Sequence, residues 1–169
     1  MTQSALPLHA SSDDKRARYR EVSESINALL EEEDDWIAAL ATVACELHHA
    51  FEAFDWTGFY RVVAPEMLVI GPYQGTHGCL RIPFSKGVCG AAARTKTTQL
   101  VPDVEAFPGH IACSATTRSE LVVPLVRDGV VIAVLDLDSN AEAAFDEVDQ
   151  QAVEAICQTL TLRFHGAQR

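Results

Sequence analysis

What the 169-residue chain lacks narrows it first. No apolar run approaches the roughly 18 residues needed to span a bilayer, and the longest, around Gly129 to Leu137, is strand-length. The opening residues MTQSALPLHASSDDKRAR hold no apolar core after a basic start, so no secretory signal is predicted. Basic residues are in deficit: 13 Lys and Arg face 24 Asp and Glu, for a formal charge of −11. Phosphate binding needs clustered basic surface, so nucleic acid is excluded as a partner, and the charge reads as a solubility device. There is no internal repeat, no CxxC pair, and no evident nucleotide or metal motif. Together these absences predict a cytoplasmic chain with neither membrane nor nucleic-acid partners. Structural disulfides are rare in that compartment.

Against that background the five cysteines stand out: Cys45, Cys79, Cys89, Cys113 and Cys157. In a cytoplasmic chain such a set points to redox chemistry or metal rather than to a disulfide scaffold. The remaining composition, 48% hydrophobic and 22% charged, is that of an ordinary globule. The length predicts a single domain over residues 21–165, with residues 1–20 a flexible segment.

The pattern along the chain predicts α+β architecture. Val22, Ile26, Leu29 and Leu30, then Trp36, Leu40, Val43 and Leu47, repeat at helical spacing across residues 15–53. The acidic run Glu31–Asp35 divides this stretch in two, with Asp34 or Asp35 as N-cap of the second helix. Strands are predicted at Trp56–Val63, Met67–Ile70, Cys79–Pro83, Gln99–Val101, Leu121–Val126 and Val130–Leu137, with a short helix opening after Gly87. Asp128-Gly129 signals a hairpin between the last two strands. Asp146 and Asp149 suggest a capping box for a final helix. Contiguous strands rule out a doubly wound parallel fold and favour a six-stranded antiparallel sheet with N- and C-terminal helices packed on one face. Residues 102–118 form a long aperiodic loop, a length usually tied to function.

The cysteines divide by context. Cys45 and Cys157 fall on apolar helix stripes and read as core filler. Cys79, Cys89 and Cys113 sit beside glycines in GTHGC, GVCG and GHIAC. Cys89 lies near a helix start, where backbone N–H groups and the dipole would lower its pKa. Zinc is the rival chemistry, with His77, Cys79, Cys89, His110 and Cys113 as donors, but their spacings match no compact knuckle, and no metal is expected. Asp136 and Asp138, two apart on one strand, share a face. The hairpin brings Glu120 to their end of the sheet. Three acids there repel unless they share a proton, bind a cation or cap backbone donors, so such a cluster can keep one carboxyl protonated near neutral pH.

These residues resemble a known family. WTGFY (56–60), GPYQG (71–75), KGVCGAAA (86–93), DVEAFPGHIAC (103–113), SELVVPL (119–125) and AVLDLDS (133–139) are similar to the free methionine (R)-sulfoxide reductases, built on a GAF domain. The resemblance covers about residues 30–163 and implies a loop-closed pocket on the sheet face opposite the terminal helices. It implies Cys113 as nucleophile, with Cys79 and Cys89 resolving and recycling the oxidised enzyme and the choice between them open. It implies Glu120, Asp136 and Asp138 as proton-donating or substrate-contacting acids, and Trp56 and Tyr60 near the substrate's methyl group. Ser114 departs from the family's GHIACD, which bears on rate more than on chemistry. The partners implied are free methionine (R)-sulfoxide and thioredoxin or a similar dithiol, with no cofactor and with a homodimer left open. The alternatives are a GAF-type sensor of a small ligand or of redox state that does not turn over, and a structural zinc domain.

Overall fold

The computed structural model describes residues 4–109 and 115–164. Helix α1 spans Ser12–Leu29 and α2 spans Trp36–Ala50. Each begins at a capping side chain: Ser11 Oγ accepts from Asp14 N at 3.2 Å, and an Asp35 carboxylate oxygen accepts from Ala38 N at 2.8 Å. The acidic run therefore parts the two helices as expected. On α1 the stripe is slightly rotated: Tyr19, Val22, Ile26 and Leu30 are buried, while Leu29 faces solvent.

Of the segment expected to be flexible, residues 4–20 are described, and they have defined partners. Helix begins at Ser12, and upstream of it Leu6 bridges to Phe51, donating to Ala50 O at 2.8 Å and accepting from Glu52 N at 2.9 Å. The physical reason lies far along the chain, because Lys15 and Tyr19 bury themselves against the last helix.

Six strands follow: β1 Trp56–Ala64, β2 Met67–Gln74, β3 Arg81–Pro83, β4 Gln99–Val101, β5 Ser119–Arg127 and β6 Val130–Ser139. Helix α3, Gly87–Thr95, lies between β3 and β4, and α4, Glu147–Arg163, closes the chain. The strands form one antiparallel sheet in the order β3-β2-β1-β6-β5-β4. Asp128 and Gly129 both take positive φ, 51° and 75°, the two-residue turn whose twist suits a tight hairpin. The strand expected over Cys79–Pro83 begins only at Arg81, leaving Cys79 in the loop before it. Asp146 caps α4 through the full capping box with Asp149.

Strand alternation sorts the core into two layers. Phe59, Leu121, Val123, Leu135 and Leu137 face α1, α2 and α4. Trp56, Tyr60, Val122 and Val134 face the other way, against Val88, Cys89 and Ala92 of α3. Cys157 is buried among the helices, whereas Cys45 is only half-buried, so one of the two expected core cysteines fills the core completely.

Candidate active site

The site is built on the centre of the sheet. β6 lies between β1 and β5, with Asp138 opposite both Trp56 and Glu120, and Asp136 opposite both Gly58 and Val122. Alternation turns Glu120, Asp136 and Asp138 to the face away from the large helices, and all three line one cavity of about 210 Å³. The expected gathering of the three acids at one strand end is what the register produces.

Helix α3 lowers Cys89 onto this acidic floor. Cys89 is 3% exposed, and its Sγ lies 3.9 Å from Glu120 Oε1. Glu120 and Asp136 are 6% and 5% exposed, and Asp136 Oδ1 is buried without a hydrogen-bond partner among the described residues. Burial disfavours every charge here. It drives the Glu120 carboxyl well above the usual carboxylate range, reinforced by Asp136 and Asp138. It pushes Asp138 up too, with help from Asp136 and Asp55. Asp136 rises to about 6, as burial outweighs the opposing hydrogen bonds with Cys89 and Glu120.

The same effect reverses the expectation for Cys89. Burial first, then the charges of Asp136 and Glu120, hold its thiol well above its ordinary value. The helix dipole loses to desolvation. Cys89 is therefore a protonated thiol that donates to a carboxylate.

One wall is aromatic. Trp56 stacks on Tyr73 at 5.4 Å and on Tyr60 at 5.8 Å, and its Nε1 donates to Thr76 O at 2.8 Å. Gly58 makes this stack fit, since a Cβ there would stand 2.4 Å from the Trp56 ring. Trp56 and Tyr60 both line the cavity. Cys79 does not line it. It sits half-buried just beyond Gly78 and is disulfide-bonded, while Cys89 is free. Cys113, expected as nucleophile, lies outside the described residues, as do His110 and Ser114. Of the five donors weighed for zinc, the disulfide removes Cys79. Among the described residues, the groups gathered around Cys89, within 4.8 Å of one another, are Glu120 and Asp136.

A GAF domain profile matches residues 31–164. Free methionine-R-sulfoxide reductase from Neisseria meningitidis, solved in complex with its substrate, is 45% identical and superposes with a TM-score of 0.88 over 99% of this chain and 98% of that one. The free methionine-R-sulfoxide reductase of Saccharomyces cerevisiae is 40% identical over 80% of this chain and 79% of its own length. That of Escherichia coli is 38% identical over 82% and 83%. The chain belongs to the free methionine-R-sulfoxide reductase family. Its six-stranded antiparallel sheet with flanking helices is the GAF fold of that family, and the fold expected from the sequence is the fold found.

The cavity of this family member also takes in Asp55, Thr76 and Asn140, which sequence reasoning passed over, and His77, weighed there only as a zinc donor. Asp55 lines it and accepts from Asn140 N at 2.7 Å, tying the start of β1 to the end of β6. Thr76, His77 and Asn140 complete the rim. Their signal was adjacency: Asp55 precedes WTGFY, Thr76 and His77 lie inside GPYQGTHGC, and Asn140 follows the acid pair by two.

Proposed function

We propose that this chain reduces free L-methionine (R)-sulfoxide to methionine. One observation carries the reading: a small cavity, aromatic on one wall and carboxylic on its floor, in a chain 45% identical along nearly its whole length to a substrate-bound reductase of that sulfoxide. At about 210 Å³ the cavity is smaller than the roughly 300–1,000 Å³ of drug-sized sites, which favours a single amino acid over a peptide. The aromatic wall suits the methyl group, and the acids suit the ammonium group.

The chemistry follows from the residue types. The Cys113 thiolate attacks the sulfoxide sulfur while an acid of the Glu120, Asp136 and Asp138 cluster protonates the oxygen. The oxygen passes to Cys113 as a sulfenic acid and methionine leaves. Glu120 is the favoured donor, because burial and the two flanking acids hold its carboxyl well above the usual carboxylate range. A second thiol then attacks the sulfenic sulfur, water leaves and a disulfide forms. Two observations favour Cys79 over Cys89 for that step: Cys79 is disulfide-bonded, and Cys89 is a free thiol held protonated by its surroundings. A dithiol reductant of the thioredoxin type, in a cytoplasmic setting, returns both cysteines to thiols by exchange.

The test is a coupled assay in which thioredoxin and NADPH consumption report turnover on free and peptide-bound sulfoxides of both epimers. Turnover of the free R epimer, lost in Cys113→Ser and limited to a single turnover in Cys79→Ser, is expected. A single stoichiometric oxidation in the wild type would instead indicate a redox sensor.

A further inference from the structure

The floor of the cavity has a property that the reductase chemistry does not require. Cys89 Sγ and one carboxylate oxygen each of Glu120 and Asp136 lie within 4.8 Å of one another, on three different elements and all buried. A tetrahedral zinc-class ion with bonds of about 2.0–2.3 Å holds neighbouring sulfur and oxygen donors about 3.5 Å apart. The 3.9 Å between Cys89 Sγ and Glu120 Oε1 is close to that separation. Asp136 Oδ1, without a partner in a residue 95% removed from solvent, is an acceptor awaiting a donor or a cation. The open side of the trio faces the cavity, which leaves a fourth position for water.

The geometry points to a reversible inhibitory site for a borderline-soft divalent cation of the zinc class, bound by Cys89, Glu120 and Asp136 on the cavity floor. The mixed donor set selects the cation. A thiolate with two carboxylates suits zinc or cobalt, whereas magnesium and calcium need six or more oxygens. On binding, the thiol proton and any proton held on the Glu120 and Asp136 carboxyls leave to solvent, and the two carboxylates become ligands that no longer carry a proton to a sulfoxide oxygen. The ion also occupies the floor on which substrate would rest. Binding stands on the geometry alone, and the inhibition rests on the reductase reading.

The test uses cobalt as a coloured probe in the full chain carrying Cys79→Ser and Cys113→Ser, which removes the thiols assigned to turnover. One equivalent of cobalt is expected to give sulfur-to-cobalt charge-transfer absorbance. Zinc should displace it and magnesium should not, and adding Cys89→Ser should abolish it. Glu120→Gln, which keeps the side-chain shape, should weaken cobalt binding at least tenfold with an unchanged circular dichroism spectrum. Absence of the band, or its persistence after Cys89→Ser, overturns the site. In the wild type, zinc inhibition relieved by a chelator and competitive with the sulfoxide is expected, and inhibition unchanged by Cys89→Ser overturns this assignment. Turnover measured without metal tests the reductase reading separately, so the two failures are distinguishable.

Discussion

Two groups of buried acids lie in this molecule, and they are treated in opposite ways. At the start of α4, Asp149 is 1% exposed and accepts from Lys15 Nζ at 2.5 Å, Tyr19 Oη at 2.9 Å and Asp146 N at 2.9 Å. Both oxygens find donors, and a cation sits beside them. On the cavity floor, Glu120 and Asp136 are almost as buried, yet they lean on each other and on the Cys89 thiol, 3.9 Å from Glu120 Oε1, and Asp136 Oδ1 has no partner among the described residues. The first group fastens α1 to α4. The second leaves part of its hydrogen-bonding capacity unspent, which costs stability and raises the proton affinity of acids that line the cavity.

The sharpest way to break this comparison is to neutralise one acid in each group. Glu120→Gln should lower turnover about 10²- to 10⁴-fold, the usual worth of a proton donor. Its melting temperature should stay level or rise, because a desolvated acid is replaced by a neutral group. A melting temperature that falls together with activity would erase the distinction.

Asp149→Ala should do the reverse. Removing one of the two carboxylates paired with buried Lys15, and with it the acceptor of Tyr19 Oη, costs about 3 kcal/mol, the lower end for a broken buried pair because Asp146 stays at 3.0 Å; urea denaturation reads this, while turnover per folded molecule stays within twofold. Loss of specific activity in the folded fraction would show that the two groups are coupled.

Asp146 and the cavity acids should answer pH with opposite signs, while Asp149, pushed up by burial despite its hydrogen bond from Lys15, sides with the cavity acids. Asp136 has its folded pKa raised to about 6, so the stability its protonated form contributes is present below the ordinary carboxylate range and lost as pH rises through about 6. Glu120 and Asp138, also raised, extend that loss to higher pH. Burial pushes Asp146 up, but hydrogen bonds from Lys15 and the Val148 and Asp149 amides win and bring it below its ordinary value. Its contribution is present above the ordinary range and lost on acidification. The melting temperature should therefore peak in mild acid. Asp136→Asn should flatten the upper limb by a few degrees, and Asp146→Asn the lower one. A profile unchanged by Asp136→Asn would refute the raised carboxyl.

The smallest effect is a control. Asp13 and Arg16 pair at 3.0 Å with side chains 95% and 58% exposed, so Asp13→Ala should change stability by less than about 0.5 kcal/mol. A larger change would mean that pairing, rather than burial, separates the two groups.

Much of this was legible in the residues. The alternation of AVLDLDS put both aspartates on one face, and Asp128-Gly129 brought Glu120 to them. The three glycine-flanked cysteines, with the acid and aromatic motifs, pointed to the family. Less legible were the contributions of single residues remote in sequence. Asp55, one residue before the first predicted strand, carries no sequence signal of its bond to Asn140 N or of its place on the cavity. The N-terminal segment looked loose because the partners of Lys15 and Tyr19 lie 134 and 130 residues away.

The sequence by itself determined the local elements, their caps, the hairpin register and the identity of the reactive groups, because these depend on neighbours and on periods of two and 3.6 residues. Only the tertiary structure decided their chemical character. Cys89 at a helix start should be acidic, but packed against Glu120 and Asp136 it is held protonated. Asp149 and Asp136 are the same residue type at similar burial, and one is satisfied while the other is not. Desolvation and donor count depend on what the fold packs around a group, and that information is carried by no segment of the chain alone.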